Sequence, residues 1–184
     1  MLNINFSESV YRKSNSQTLL HTCVGSVKGK DTKFLIDPGS DTTIVTEKFV
    51  NEMNLERSTS RQIITVQTLN GKSTTTSVTA SIPIMSGLIM EAFIVKSLIT
   101  LNETKISLKK VWPGLEKNLY IDAKKNMTHE KLDILVGMDN LYTKLSHAKI
   151  VSHPTLGLVL KNTAFGWSLI GSLSPKLDFD YFKD

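Results

Sequence analysis

The stretch that decides the fold reads Phe34-Leu35-Ile36-Asp37-Pro38-Gly39-Ser40-Asp41-Thr42-Thr43-Ile44-Val45. An apolar run stands before Asp37, a Pro-Gly pair follows it, and a β-branched run then resumes. This pattern predicts a strand, a tight loop and a second strand, because proline and glycine favour turns while β-branched residues favour strands. A carboxylate directly after a buried strand can be held rigidly at a concave surface, where neighbouring groups adjust its pKa. Asp37 is therefore the first candidate for a catalytic acid or base, although such a turn by itself also occurs where the chain only reverses direction.

Short segments with strand character stand on both sides of this loop. Residues 19–27 and 32–36 predict a hairpin that turns at residues 28–31. Apolar residues at a spacing of three to four predict a short helix over residues 47–53. The sequence around Asp37 thus predicts strand, loop, strand and short helix.

An Asn-Gly pair marks a second hairpin further along the chain. Asn70 and Gly71 stand between two runs rich in β-branched residues, at 61–69 and 72–84. Both central positions of a tight hairpin turn need positive φ, which asparagine and glycine adopt most readily. Residues 61–84 are therefore predicted to form a hairpin with Asn70-Gly71 at its tip.

The remaining sequence predicts more strands around one polar connection. Residues 88–99 predict a strand, and residues 132–137 predict a short buried strand followed by a helix over residues 138–145. Residues 157–171 predict a closing β pair. Residues 102–131 are polar and mixed, and we interpret them as an insertion or long connection.

Length and composition fit one ordinary core. The chain has 184 residues, of which 40% are hydrophobic, and a single domain is the default at this size. We divide it into an N-terminal extension at residues 1–18, a domain at residues 19–173 and a polar C-terminal tail at residues 174–184.

Composition also narrows the classes of function. No run approaches the ~18 apolar residues that a membrane-spanning helix needs, and the start lacks the apolar centre of a secretory signal. We therefore expect a soluble intracellular protein without a membrane partner, and cytoplasm and nucleus are not distinguished. The net charge of +5 comes from scattered basic residues that are not interleaved with aromatic ones, which argues against a nucleic-acid surface. One cysteine, Cys23, excludes an internal disulfide, and the four histidines share no zinc-site spacing, so no metal or other cofactor is predicted.

Four features in order resemble the retropepsin-like aspartic proteases, and most closely the protease region of BEL/Pao-type retrotransposon polyproteins. They are the strand and loop at residues 34–45, the hairpin around Asn70-Gly71, the stretch Leu132-Asp133-Ile134-Leu135-Val136-Gly137-Met138-Asp139, and the ending Thr163-Ala164-Phe165-Gly166-Trp167-Ser168-Leu169-Ile170-Gly171. The resemblance covers residues 19–171. It implies a mostly-β fold, a closed antiparallel barrel of the acid-protease type with a flap hairpin and one or two short helices.

The resemblance also implies a site. Asp37 would be the catalytic residue, in an active-site loop that contains Pro38, Gly39, Ser40 and Asp41. A flap would close over an extended peptide substrate and would be formed by Leu69, Asn70, Gly71 and Lys72.

Peptide hydrolysis can be carried out by two carboxylates that face one water, because closely spaced like charges cannot both ionise. This chain supplies one such carboxylate, since Asp41, Asp133 and Asp139 lack the Asp-x-Gly setting. A catalytic pair therefore requires two chains, each contributing Asp37 across a twofold axis. The resemblance thus predicts a homodimeric endopeptidase that acts on a peptide or polyprotein and needs no cofactor.

Two positions depart from the family pattern. The family usually has Ser or Thr where this chain has Pro38, and the hydroxyl and amide there bond to the partner subunit, whereas proline has neither group. Met138 stands where viral members commonly place an arginine, so Asp41 is expected to lose that partner. Ser40 could donate to the Asp37 carboxylate and lower its pKa, or it could be a plain turn residue.

Two functions follow from these observations and stay open at this point. The first is the homodimeric aspartic endopeptidase. The second is a catalytically inactive retropepsin-like module used for dimerisation or for binding an extended peptide, and Pro38 is the feature that separates them, because function depends on the site rather than on the fold.

Overall fold

A computed structural model gives the three-dimensional structure of the chain, and it describes residues 2–5, 17–68, 71–84, 87–98, 108–119, 124, 131–141 and 149–173. The helices with defined bounds are α1 (Glu47–Glu52), α2 (Leu108–Val111) and α3 (Met138–Leu141). The strands, in chain order, are β1 (Leu2–Asn5), β2 (Gln17–Leu19), β3 (Thr22–Val27), β4 (Lys30–Ile36), β5 (Ile44–Thr46), β6 (Glu56–Arg57), β7 (Gln62–Thr68), β8 (Gly71–Ser77), β9 (Thr79–Pro83), β10 (Ile89–Val95), β11 (Leu132–Val136), β12 (Ile150–Ser152), β13 (Gly157–Thr163) and β14 (Gly166–Leu173).

Most strands belong to one large sheet with the order β12-β13-β14-β3-β4-β11-β5-β10-β9-β6, and β2 lies beside β14. A second sheet has the order β1-β7-β8. The predicted mostly-β class is confirmed. The described strands of the large sheet pair from β12 to β6, and an isolated antiparallel bridge joins Val27 of β3 to Ile84, directly after β9. Within the part of the chain that the structure describes, no helix has the length and apolar character needed to cross a membrane.

The hairpin before Asp37 is tighter than predicted. Val27 pairs with Lys30, so the turn consists of Lys28 and Gly29 alone, with φ of 47° and 80°. Two positive φ values are what a two-residue hairpin turn requires. The Lys28 ammonium donates to the backbone oxygens of Met53 and Asn54, at 3.1 and 2.8 Å, and so ties the turn to the end of α1.

Strand β11 lies between the two strands that flank the Asp37 loop. It pairs parallel with β4 and antiparallel with β5. Ile134, Leu135 and Val136 are fully buried. Ile134 and Val136 pack into the main core, while Leu135 packs on the opposite side. The prediction that this apolar run is covered on both faces, beside the strand that leads into Asp37, is confirmed.

The second hairpin forms with a register one residue from the predicted one. Strands β7 and β8 pair from Gln62 with Ser77 to Thr68 with Gly71. Gly71, at φ 134°, is therefore the first residue of β8 and not a turn residue. Leu69 and Asn70 lie outside the described residues. The predicted strand at 72–84 is two strands, β8 and β9, because the chain changes pairing partner at Val78.

The base of this hairpin is anchored to the strands around Asp37. Ile64 of β7 is fully buried in a cluster with Leu35, Ile44 and Leu135. Val66 packs against the same cluster. The hairpin therefore shares an apolar contact with β4, β5 and β11.

Part of the predicted connection at 102–131 is packed rather than loose. The described residues of α2 and its neighbour Trp112 bury apolar side chains against β13 and β14, in a cluster of Leu108, Val111, Trp112, Leu119, Leu158, Leu160 and Leu169. The His153 ring meets Trp112 edge-on, with the ring centroids 4.9 Å apart. Its Nδ1 accepts from the backbone N–H of Leu156 at 2.9 Å, so Nε2 carries the proton and donates to Val111 O at 3.1 Å.

Several boundaries differ from the sequence predictions. The predicted extension at 1–18 contains β1 and part of β2, and β12 was not predicted. Helix α3 ends at Leu141 within the described residues, and residues 142–148 and the predicted tail at 174–184 lie outside them.

Candidate active site

Asp37 is the first residue after β4, and its backbone is fixed on both sides. Its N–H donates to Val136 O at 3.0 Å and extends the pairing of β4 with β11. The N–H of Ser40 donates to Asp37 O at 3.1 Å and closes a turn over Pro38 and Gly39. The carboxyl group therefore leaves the sheet from a defined position.

The Asp37 carboxyl is half-buried and has one oxygen engaged. Its Oδ1 accepts from the N–H of Gly39 at 2.9 Å. Its Oδ2 makes no hydrogen bond to any residue that the structure describes, and it is therefore available to a water or a second carboxyl. Burial raises the pKa of Asp37 above the ordinary value, and the Gly39 hydrogen bond opposes this change only in part. The group therefore keeps its proton to higher pH than an exposed aspartate does.

Of the two alternatives for Ser40, the hydrogen bonds fit the turn residue. Its hydroxyl is fully buried and donates to Thr42 O at 3.0 Å, so it does not donate to the Asp37 carboxylate. Burial raises the pKa of Asp37, and the bond that opposes this change comes from Gly39 N. Ser40 stabilises the loop itself, since its side chain points into the protein while the carboxyl of Asp37 stays half-exposed.

A hydrogen-bond network around Thr43 connects the loop to α3, and sequence reasoning missed it. The Thr43 hydroxyl donates to Asp139 Oδ1 at 2.6 Å and accepts from Gly137 N at 3.0 Å and Asn140 Nδ2 at 2.9 Å. The N–H of Thr43 donates to Asp139 Oδ2 at 3.0 Å. Asp139 thus binds both the backbone and the side chain of one loop residue. The available signal was an acidic residue two positions after Gly137.

Gly137 lets the loop and the end of β11 approach closely. A Cβ at this position would lie 2.5 to 2.7 Å from the backbone atoms of Thr42. The residues that follow also bond to the loop: Met138 N donates to Ser40 O at 2.8 Å, and Asp139 N donates to Asp41 O at 3.3 Å. Glycine is required here because no side chain fits between the two backbones.

The other predicted site residues lie at the surface or outside the described residues. Pro38 and Asp41 are exposed, and Gly39 is half-exposed. Of the predicted flap, Gly71 and Lys72 are exposed at the start of β8, and Leu69 and Asn70 are not described. The placement of the flap over Asp37 stays a prediction.

Cys23 and His21 lie near the strands that carry the loop, and burial shifts the pKa of each. Cys23 is fully buried, and burial raises the pKa of its thiol to about 12, which agrees with its predicted role as a small apolar residue. Burial, with a smaller contribution from Lys161, lowers the pKa of His21 to about 4. Neither group is poised as a nucleophile or base near neutral pH.

Comparison with known proteins gives a family match and similar solved structures. Residues 24–92 match the family described as "gag-polyprotein putative aspartyl protease", and this segment includes the Asp37 loop and the second hairpin. The crystal structure of the retroviral protease-like domain of Ddi1 from Leishmania major is similar with a TM-score of 0.39 and 6% identity, covering 89% of this chain and 98% of that chain. No curated protein sequence matches.

Proposed function

We propose that this chain, retropepsin-like by its match to an aspartyl protease family, is an aspartic endopeptidase that acts as a homodimer. The observation that carries the proposal is the state of the Asp37 carboxyl. Its Oδ1 accepts a hydrogen bond from the Gly39 amide, while its Oδ2 makes no hydrogen bond to a described residue. Its pKa is raised above the ordinary value. A second copy of the same group would complete a pair that shares one proton.

The mechanism uses one ionised and one protonated Asp37. The ionised carboxylate removes a proton from a water bound between the two groups, and the water oxygen attacks the carbonyl carbon of the peptide bond. The protonated carboxyl gives its proton to the carbonyl oxygen. The tetrahedral intermediate then collapses and the C–N bond breaks. The leaving nitrogen takes a proton from the carboxyl that accepted it from water, and one hydroxyl of the intermediate gives its proton to the other carboxylate as the new carboxylic acid forms, so that the pair again shares one proton.

The proposed substrate is an extended segment of a polypeptide, and polyprotein processing is its proposed context. The matched family is named for gag polyproteins, which supports this choice. The second hairpin supports it as well, because Ile64 anchors the hairpin base to the cluster that contains Leu35, two residues before Asp37.

The test is cleavage of a peptide library by wild type, Asp37→Asn and Glu116→Gln, from acidic to neutral pH. The asparagine amide keeps nearly the volume of the carboxyl but cannot act as a base, so cleavage should vanish in the Asp37→Asn variant. Glu116 is an exposed carboxylate in another part of the chain, and Glu116→Gln should cleave like wild type. Cleavage that survives in the Asp37→Asn variant would contradict both the catalytic role of Asp37 and the mechanism.

A catalytically inactive dimerisation or peptide-binding module is the second candidate, and Pro38 favours it. Proline has neither the amide hydrogen nor the hydroxyl that would bond to a partner loop. Absence of cleavage by wild type, with activity appearing in Pro38→Thr, would support the inactive module.

A further inference from the structure

A half-open surface cavity of about 540 Å³, lined by exposed and half-buried residues, lies at the base of the second hairpin. Its walls come from α1 and β6, from β8, and from the end of β10. Small-molecule sites usually enclose roughly 300–1,000 Å³. The cavity therefore has room for a ligand, and it lies where the hairpin meets the large sheet.

The lining of the cavity has an excess of cations. Arg57, Arg61 and Lys96 line it, and Glu47 is the acidic residue among the lining residues. Arg57 is already engaged, by Asn51 Oδ1 at 2.5 Å and by Glu47 at 3.8 Å. Arg61 and Lys96 form no ion pair with any residue that the structure describes. The lining thus has a formal excess of two positive charges, three cations less one carboxylate.

The lining also contains apolar and hydroxyl-bearing residues. Val78, Ile94 and Val95 are half-buried, and Thr75 and Thr76 belong to the wall that β8 supplies. A ligand that matches this lining carries a concentrated negative charge together with an apolar group.

We propose that this cavity binds a phosphate monoester with a small apolar group. A phosphate monoester carries about −1.5 to −2 charges near neutral pH, because its second pKa is about 6. That charge matches the excess of two on the lining, whereas a single carboxylate leaves one positive charge unmatched. Guanidinium groups also bind phosphate oxygens through two parallel hydrogen bonds.

The ligand would connect the two sheets. Thr75 and Thr76 belong to β8 of the hairpin, while Ile94 and Val95 belong to β10 of the large sheet. A bound molecule holds them together, so it should slow the local opening of β8.

The test is calorimetric titration of the full chain with phenyl phosphate at pH 7.5 and low salt. Arg61→Gln and Lys96→Gln should each weaken binding about two- to fivefold, as loss of one exposed charge does. Glu47→Gln should tighten binding, because it removes the opposing charge. Lys109→Gln, an exposed lysine on α2 away from the cavity, should leave binding unchanged.

Two comparison ligands and one exchange measurement complete the test. Inorganic phosphate should bind more weakly because it lacks the apolar group, and benzoate should bind more weakly because it carries one charge. Phenyl phosphate should slow amide hydrogen exchange in β8. Equal binding of inorganic phosphate would mean an adventitious ion only, equal binding of benzoate would overturn the phosphate assignment, and affinity unchanged in an Arg61→Gln, Lys96→Gln double variant would overturn the site.

Discussion

At the scale of single residues, the loop that carries Asp37 depends on two kinds of hydrogen bond. The bond from Gly39 N to the Asp37 carboxyl is local, between residues two apart. The bonds between Thr43 and Asp139 join residues 96 positions apart. The local bond follows from the turn that Pro38 and Gly39 form, so Asp37 could be placed from sequence. The distant bonds depend on the fold, and they supply much of the loop's rigidity.

The raised pKa of Asp37 predicts a specific dependence of stability on pH. The folded state binds the proton more tightly than the unfolded state, so the free energy of unfolding falls as pH rises from the ordinary value of 3.8 through the higher folded pKa. Asp37→Asn should lose this decrease and gain stability at neutral pH. Urea unfolding at a series of pH values measures it.

His21 contributes to the pH dependence of stability with the opposite sign, and it is present in both wild type and Asp37→Asn. Its folded pKa of about 4 lies below the ordinary 6.5, so its contribution to stability is lost as pH falls through that interval. This contribution cancels in the difference between wild type and Asp37→Asn. Parallel curves for the two proteins would show that the Asp37 pKa is not raised.

Gly137→Ala should destabilise the chain and disorder the loop. The added Cβ would lie 2.5 to 2.7 Å from Thr42 backbone atoms, and the backbone must shift to admit it. Such overpacking costs about 1–3 kcal/mol. Thermal or urea unfolding measures the loss. Gly114→Ala is the matched control, because its Cβ would meet nothing within 4 Å, and it should be neutral. Equal stability of the two variants would contradict the close approach.

At the scale of elements, the sequence predicted the strands and helices that have a clear apolar or turn pattern of their own. The β3–β4 hairpin, α1, β11 and the β13–β14 pair were found within a few residues of their bounds, because each has its own apolar run or turn. Strand β8 has no apolar face to set its register, since Gly71 to Thr76 are all exposed. The register is therefore seen only in its pairing with β7, where Gly71 stands opposite Thr68 instead of in the predicted turn.

The break between β8 and β9 has a cause that only the fold supplies. The Ser77 hydroxyl donates to Ile94 O at 2.6 Å, and Ile94 N donates to Val78 O at 3.0 Å. The chain leaves its pairing with β7 here and begins to pair with β10. A run of β-branched residues gives no indication of such a change of partner, so the sequence predicted one strand.

Thr43→Val should weaken the connection between the loop and α3. Valine has nearly the same shape, but it removes the acceptor for Gly137 N and Asn140 Nδ2 and the donor to Asp139. Each buried group left unpaired costs about 1–3 kcal/mol. Urea unfolding should therefore show a loss of about 2 kcal/mol or more.

Thr43→Ser is the control for this network. It keeps the hydroxyl and loses one methyl group, which is worth about 0.8 kcal/mol when buried. Serine should therefore be the more stable of the two variants. A valine variant as stable as the serine variant would mean that the network contributes little.

At the scale of the whole molecule, the two ends of the large sheet have separate cores. One core lies around β4, β11 and β9, and the other joins α2 to β13 and β14. Leu108 contacts a cluster formed by strands some 50 residues later, and no local pattern indicates such packing. The polar composition of residues 102–131 therefore predicted a connection, but it did not indicate that Leu108 anchors this segment to the strands.

The proposed dimerisation is the whole-molecule property that a substitution of Pro38 tests most directly. Pro38 is exposed in the loop and has no amide hydrogen, and the bond from Gly39 N to Asp37 Oδ1 does not involve it, so no described hydrogen bond is lost on substitution. Pro38→Thr adds an amide hydrogen and a hydroxyl in each subunit. One new intersubunit bond per subunit, at roughly 0.5–1.5 kcal/mol each, should tighten the proposed dimer about 5- to 150-fold. Sedimentation at several protein concentrations measures the dissociation constant, with Lys109→Gln as an exposed control. A dissociation constant unchanged by Pro38→Thr would mean that the loop lies away from the twofold axis, which would contradict the proposed pairing of the two Asp37 carboxyls.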